Sequence, residues 1–435
     1  MILVFAEHIG PRLQYTLREI SRRWMCEMDV TDDLDSFKKC QGVKINYSSR
    51  TDLASAFSIR PSGLLNENGV KNVEFPYILI DKIPCFFPLE EGDISFDVFS
   101  SIFFLLSRYE EYTCDKKDKH GRFPVECSVL FRANVLEKPV IEYQLKLLSE
   151  KVKRYFPEWN PGKKTARIWM TFDIDNAWAF KNKSIFVRAG SAFRDLLKGD
   201  FTTIKLRRKV ISGKTEDPYD TYSRWIPQLK NPEQLYRCFF LLGNRAQFDR
   251  SIRFDHPQLV KLIKEIEQQI PVGIHPSYAS HQDSTVFHKE VARLQSIIED
   301  PVRYSRFHYL KFSLPESYRN LENAGILEDH SMGHASHAGF RAGTCFPFKF
   351  YDLEQERISS LEIIPLTAMD GTLCEYMGMS PEAAMQLSKK LWDEVSLFGG
   401  ELVFLWHNET LNDKGKWQGW YNVFLHQLRL SAIPG

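Results

Sequence analysis

From residue 166 onward the sequence alternates short apolar runs with amphipathic stretches, and this alternation restricts the fold more than any other feature. Candidate strands lie at 168–175, 236–242, 272–275, 307–312, 361–366 and 401–407. Between them, Leu259, Leu262, Ile263 and Ile266 line one face of a helix, and Phe287, Val291, Leu294 and Ile298 line a face of another. Ser380-Pro381 marks a third helix start, an N-cap followed by proline at the first helical position. Strands alternating with helices build a parallel sheet or a β/α barrel.

Residues 1–157 read as a separate, smaller α/β domain with strands at 1–5 and 77–80. A helix after Asp93 places Phe96, Phe99, Phe103 and Leu106 on one face, and a second amphipathic helix covers 141–155. The cluster Arg108-Tyr109-Glu110-Glu111-Tyr112 is expected to be a solvated helix end, with an interdomain contact or a glycan rim as the alternative. Pro157, Pro161 and Gly162 in a polar tract make 158–165 the linker to a second domain over 166–435.

With 43% apolar and 13% aromatic residues in 435, the chain can bury a large core. Its 57 basic and 56 acidic residues leave a net charge of +1, which provides no global field for nucleic acid or a membrane. Eight cysteines scattered without a CxxC pair argue for reduced thiols and against a cysteine metal site. The first residues lack a basic, cleavable leader, and the longest apolar stretch has ten residues against the roughly 20 of a spanning helix. A cytoplasmic protein is expected.

The apolar run Ile168-Trp169-Met170-Thr171-Phe172 leads into Asp173 and Asp175, which share a face because residues two apart in a strand do. Gly243 and Asn244, His275, and His407-Asn408-Glu409 fall at the same end of other strands, the end where β/α barrels collect their active sites. A catalytic zinc takes three protein ligands, and Asp175, His275 and one further histidine would supply them. Asp173 is then the base, and His407, kept protonated by a carboxylate such as Asp370, the acid. The plainer alternatives are a capping or salt-bridge pair for the two acids, a turn residue at His275, a surface turn residue at Arg341, and a core hydrogen bond for His407.

In chain order, Thr171-Phe172-Asp173-Ile174-Asp175, Phe239-Phe240-Leu241-Leu242-Gly243, His275, Phe340-Arg341-Ala342-Gly343-Thr344, Asp370 and Leu405-Trp406-His407 resemble the motifs of the polysaccharide deacetylase superfamily. This is the NodB-homology domain of carbohydrate esterase family 4. Ser305-Arg306-Phe307-His308-Tyr309-Leu310 and His407-Asn408-Glu409 are similar to a bacterial branch in which that domain follows an uncharacterised amino-terminal one. The resemblance spans about 166–430 and implies a distorted seven-stranded β/α barrel. It also implies zinc or another divalent metal, and hydrolysis of N-acetyl groups on amino sugars of a glycan or its precursor. It gives Asp173 the role of base, Asp175 and His275 the metal, Arg341 the orienting of base or substrate, and His407 the protonation of the leaving nitrogen.

Two departures stand out: Ile174 separates acids that are adjacent in the family, and Ala279 occupies the second place of its His-x-x-x-His motif. His308 is therefore the expected second histidine ligand, with His281 as the alternative. Trp178, Tyr278 and Trp406 are candidate faces for a sugar ring, Trp406 equally a core residue. The same fold also suits hydrolysis of another non-peptide C–N bond, or a catalytically inactive glycan-binding protein.

Two segments stand apart from this set. Near 186–230 a basic helical insertion interleaves Arg188, Arg194, Lys198, Lys205, Arg207, Arg208 and Lys209 with large apolar residues. Solvated charges over a packed helix are expected there, and contact with a membrane surface or a lipid-linked glycan is the alternative. His330, His334 and His337 are expected to be solvated at the rim of the groove.

Overall fold

The computed structural model describes residues 1–72, 75–281 and 283–430, so the last five residues assigned to the second domain lie outside it. At the amino-terminal end, β1 (Ile2–Ala6), β2 (Met28–Thr31), β3 (Val43–Tyr47) and β4 (Phe57–Ile59) form a parallel sheet in the order β2-β1-β3-β4. The helix Pro11–Trp24 joins β1 to β2. Proline in its first turn gives up no hydrogen bond, and Met25 ends the helix in the left-handed region. A hairpin of β5 (Tyr77–Ile80) and β6 (Ile83–Phe86) follows.

The helix Val98–Leu106 is buried on every side, rather than on the single face expected of it. Its sequence carries no charged residue that would need water. Asp97 caps it, accepting from the Ser100 backbone N–H at 3.1 Å and from the Tyr47 hydroxyl at 2.9 Å.

The remaining strands are β7 (Arg167–Ile174), β8 (Leu235–Phe240), β9 (Val272–Ile274), β10 (Tyr304–Ser305), β11 (Glu328–Asp329), β12 (Phe348–Asp352), β13 (Arg357–Ile363), β14 (Ala368–Met369) and β15 (Glu401–His407). They form one sheet in the order β12-β13-β11-β10-β9-β8-β7-β15-β14, parallel throughout except between β12 and β13. The α/β class is as expected. The ladder, however, has nine strands rather than seven, and its edges β12 and β14 do not pair with each other among the described residues. The strand expected at 307–312 is replaced by a tight turn, because Tyr309 and Leu310 take φ values of 62° and 51° that a strand cannot accommodate.

Alternation along β7 divides its side chains between two faces. Ile168, Met170, Phe172 and Ile174 join the main core, while Trp169 joins a smaller cluster with Val403 and Leu405 of β15 and with Leu310, Ala335, Ile364 and Leu366. The main core continues without a break from the first sheet to the second. Even the linker is held, with the Gly162 backbone N–H donating to the Trp24 carbonyl at 2.7 Å and Trp159 against the Trp24 ring.

The cluster expected to be a solvated helix end is instead a buried joint between the two regions. Glu111 accepts from Arg341 Nε at 2.9 Å and from Arg108 Nε at 2.8 Å, and Arg108 also donates to Glu110 at 2.8 Å. Burial opposes the charge on Glu111, but Arg341 and then Arg108 outweigh it and hold the carboxyl down at about 2. Beside this joint Gly339, at φ 137°, comes so close to Leu136 that a Cβ would lie 2.4 Å from its carbonyl oxygen. That oxygen accepts from the Phe340 backbone N–H at 2.7 Å. The segment 339–344 therefore docks the amino-terminal region. No described helix is long and apolar enough to cross a membrane, and all eight cysteines are free.

Removing one partner of such a buried pair is costly, so Arg341→Ala should lower the unfolding free energy by about 3 kcal/mol in urea titrations. The folded Glu111 carboxyl lies below its ordinary value of 4.5. Its contribution to stability is therefore complete above pH 4.5 and is lost as the pH falls towards 2. The stability gap between wild type and Glu111→Gln should close across that window, and a gap that stays constant through it would rule this pairing out.

Candidate active site

The register of the parallel ladder sets the height of the site. Ile174 of β7 pairs with Phe240 of β8, Phe240 with Ile274 of β9, and Ile274 with Ser305 of β10. Asp175, His275 and Arg306 follow these positions and emerge at one level, and Asp173 pairs directly with His407 of β15. In a flat sheet β10 would stand about 14 Å from β7, three strand spacings away. Yet Arg306 Nη1 donates to Asp173 Oδ1 at 2.9 Å, and His308 Nε2 lies 3.3 Å from Asp175 Oδ2. The sheet must curl strongly for these side chains to meet.

His275 Nδ1 lies 2.5 Å from the Arg306 carbonyl oxygen. A carbonyl can only accept, so Nδ1 carries a proton, and Nε2 is the ring nitrogen left to face Asp175. That atom stands 3.1 Å from Asp175 Oδ1, and both are buried without a hydrogen-bond partner. His308 repeats the arrangement, with Nδ1 2.9 Å from Asp249 Oδ1 and Nε2 turned to Asp175. Ligand atoms of Asp175, His275 and His308 all lie within 4.8 Å of one another, the one such group among the described residues.

Two atoms bound tetrahedrally to zinc at 2.0–2.1 Å stand about 3.4 Å apart, close to the two Asp175 to histidine spacings. Each imidazole is also oriented by an acceptor on its far nitrogen, as metal-binding histidines are. Burial disfavours a charged His308, but Asp175 and Asp249 outweigh it and lift the ring to about 9. The field at this point is negative, and the donor set fits a divalent cation.

On another wall His407 Nδ1 lies 2.8 Å from Asp370 Oδ1. The buried Asp370 also accepts from the His407 backbone N–H at 2.8 Å and from the Thr410 hydroxyl at 2.6 Å. Burial works against the imidazolium, yet Asp370 overcomes it and raises His407 well above its ordinary value. A cavity of about 180 Å³ joins the two walls, with Tyr309, Tyr376 and Trp417 also lining it. Tyr309 and Leu310, both left-handed and both in the cavity wall, carry a strain of order 1–3 kcal/mol each. Arg122 Nη1 holds that turn, donating to the Tyr309 carbonyl at 2.8 Å.

The structure thus gathers Asp173, Asp175, His275, His308, Asp370 and His407 around one cavity. Arg341 lies elsewhere, its donors taken by Glu111 and by the Gly333 carbonyl. The place beside Asp173 belongs to Arg306, fixed by donation to Thr171 Oγ1 at 2.8 Å and to the His330 carbonyl at 3.0 Å. Trp178 and Trp406 are core residues, the latter bonded to Gln427 Oε1 at 2.8 Å, so neither offers a face to a sugar. Tyr278 sits just outside the cavity, tilted against Phe248 and edge-on to Tyr309, with Lys311 Nζ 3.7 Å from its ring centre.

His281 turns its Nδ1 to the Tyr278 carbonyl and does not line the cavity, which removes it as a ligand. His330 and His334 are buried, not solvated at a rim. Burial drives His330 down to about 4 against the rings of Trp169 and Phe239.

Four residues of the site escaped the sequence reading. Arg306 had a signal, since it stands two positions before His308 in the quoted motif. Asp249 follows β8 in a loop and had only its charge, and Arg122 comes from the amino-terminal region and had none. Glu409 stands two positions after His407, and burial, then repulsion from Asp175, push its carboxyl up to about 7.

The purified protein should carry one zinc or similar divalent ion per chain by elemental analysis, and His308→Ala should lose it. Asp249→Asn, which changes only the group that orients His308, should weaken metal affinity about 10–100-fold. Full occupancy in His308→Ala would rule out this ligand set.

Residues 2–157 match a family model described as a family of unknown function, DUF7033. No curated protein matches the chain. Among solved structures, the chain is similar to a candidate polysaccharide deacetylase from Mycobacterium smegmatis, at 14% identity over 62% of this chain and 86% of that one, with a TM-score of 0.41. It is also similar to a candidate polysaccharide deacetylase involved in O-antigen biosynthesis from Bordetella bronchiseptica, at 13% identity over 61% and 83%, with a TM-score of 0.30.

Proposed function

We propose that the protein is a metal-dependent hydrolase that removes N-acetyl groups from amino sugars of a glycan or glycan precursor. The observation that carries this reading is the presence of two complementary groups in one cavity. Asp175 and Nε2 of His275 and His308 converge to hold a cation, which would take the place of the proton that Asp175 and Asp249 draw to His308, with Asp173 beside them, and His407 faces them with its Nδ1 proton held by Asp370. The ordered motifs resembling the polysaccharide deacetylase superfamily add the acyl group and the sugar to this picture.

When bound, a divalent cation supplies Lewis acidity, polarising an amide carbonyl and making water more acidic. Arg306 engages Asp173 Oδ1 and leaves Oδ2 to accept the proton of the attacking water. His407 passes its Nε2 proton to the amide nitrogen as the C–N bond breaks, so that acetate and a free amine leave. Asp370 fixes the ring and stabilises its charge before that transfer. Tyr309, Tyr376 and Trp417 offer surfaces for the apolar face of a sugar ring, with Tyr278 continuing them at the rim.

Zinc-loaded protein should release acetate from N-acetylglucosamine oligosaccharides. Asp173→Asn and His407→Ala should each lower kcat about 10²–10⁴-fold, and Asp173→Asn should keep its metal. Sugar binding with no acetate release from the loaded wild type would leave a glycan-binding protein and refute the hydrolase.

A further inference from the structure

Between β7 and β8 the chain inserts two helices, Ile185–Leu197 and Phe201–Ile211, that pack on each other. The expected apolar side chains beneath a charged surface are not beneath anything. Phe186 is 89% exposed, Leu197 72% and Phe193 62%, and Ile185 and Leu196 are exposed with them. At 100° per residue these five positions fall within an arc of about 120°, so they form one continuous apolar stripe in contact with water. Scattered exposed apolar residues are ordinary, whereas a contiguous stripe marks a contact surface.

The surroundings of the stripe identify what it contacts. Residues 183–214 contain nine basic and two acidic residues, a net of +7 in a chain whose total is +1. Both acids are committed internally: Asp195 is buried against Arg207, and Asp200 caps the second helix through the Thr203 backbone N–H at 3.0 Å. Lys205, Arg208 and Lys209 stand exposed on that helix. At the base of the hairpin a cavity of about 550 Å³ is lined by Lys183, Arg245, Arg253 and Arg293, with no carboxylate in its wall. Burial, and then repulsion from Arg250 and Arg194, lowers the pKa of Arg245, while Arg253 of the same wall is paired with Asp255.

We infer that this hairpin docks the protein on a bilayer surface rich in anionic lipid. The stripe enters the boundary between headgroups and acyl chains, and the flanking cations meet the headgroups. A second copy of the same face is the poorer occupant, because it would set one +7 surface against another. The hairpin root is closed by Asp217, which accepts from the backbone N–H groups of Ala179, Phe180 and Lys181 at 2.8 to 2.9 Å, and is tied to the end of β15, where the Thr221 hydroxyl donates to the Asn408 carbonyl at 2.7 Å. Docking therefore presents to the membrane the side of the sheet from which Asp175 emerges.

Sedimentation of the full chain with vesicles tests this, using phosphatidylcholine alone and phosphatidylcholine containing about 30% phosphatidylglycerol. Wild type should bind the anionic vesicles at least about 10-fold more tightly than the neutral ones. A Phe186→Ser, Phe193→Ser, Leu197→Ser variant and a Lys205→Glu, Arg208→Glu, Lys209→Glu variant should each lose about 10-fold, with unchanged circular dichroism. Wild type that stays in the supernatant, or variants that bind as wild type does, would overturn docking. So would a wild-type dimer without vesicle binding that dissociates in the serine variant, since the face would then serve self-association. Vesicle binding needs no hydrolysis, so a failed acetate assay leaves this result readable.

Discussion

A parallel ladder leaves each strand little freedom of height, and everything functional here depends on that constraint. Once Ile174, Phe240, Ile274 and Ser305 are hydrogen-bonded across one row, the next residues of three strands appear at a single level. Curling of the sheet then converts a common level into a common point. Arg306 crosses three strand positions to reach Asp173, and His308 does the same to reach Asp175. A one-residue slip in any of these registers would turn the side chain to the opposite face and remove it from the cavity.

The site is held in a state that favours a cation by groups that never need to touch one. The Arg306 carbonyl accepts from Nδ1 of His275, and the Asp249 carboxylate accepts from Nδ1 of His308, so both rings turn Nε2 towards Asp175. Arg306 also balances Asp173 with its guanidinium, so one residue positions both Asp173 and His275. The Asp370 carboxylate accepts from Nδ1 of His407 as the Arg306 carbonyl does from His275, and its negative charge raises the affinity of His407 for a proton.

The amino-terminal region is joined to the nine-stranded region by a continuous core and by buried charge. Arg108, Glu111 and Arg341 share one desolvated network, and Arg122 steadies the strained turn at Tyr309. Geometry at the site is therefore a property of both regions. The motif around Arg341, which the family resemblance assigns to the active site, meets the amino-terminal region here, while the arginine beside Asp173 comes from the end of β10.

Local periodicity made the α/β alternation legible, together with the acids at the end of β7 and the histidines at the ends of β9 and β15, because strand and helix repeats act within a few residues. Motif order added His308. Contacts between remote segments were beyond that reach: Asp249 behind His308, Arg306 in place of Arg341, and Arg122 over 180 residues from the turn it holds. An amphipathic pattern reads the same whether its apolar face is covered or bare, so the hairpin at 185–211 could be recognised as helical but not as exposed. The sequence by itself determined which chemical groups reach the strand ends; tertiary structure alone decided which of them share a cavity, because that depends on register, curl and burial summed over the whole chain.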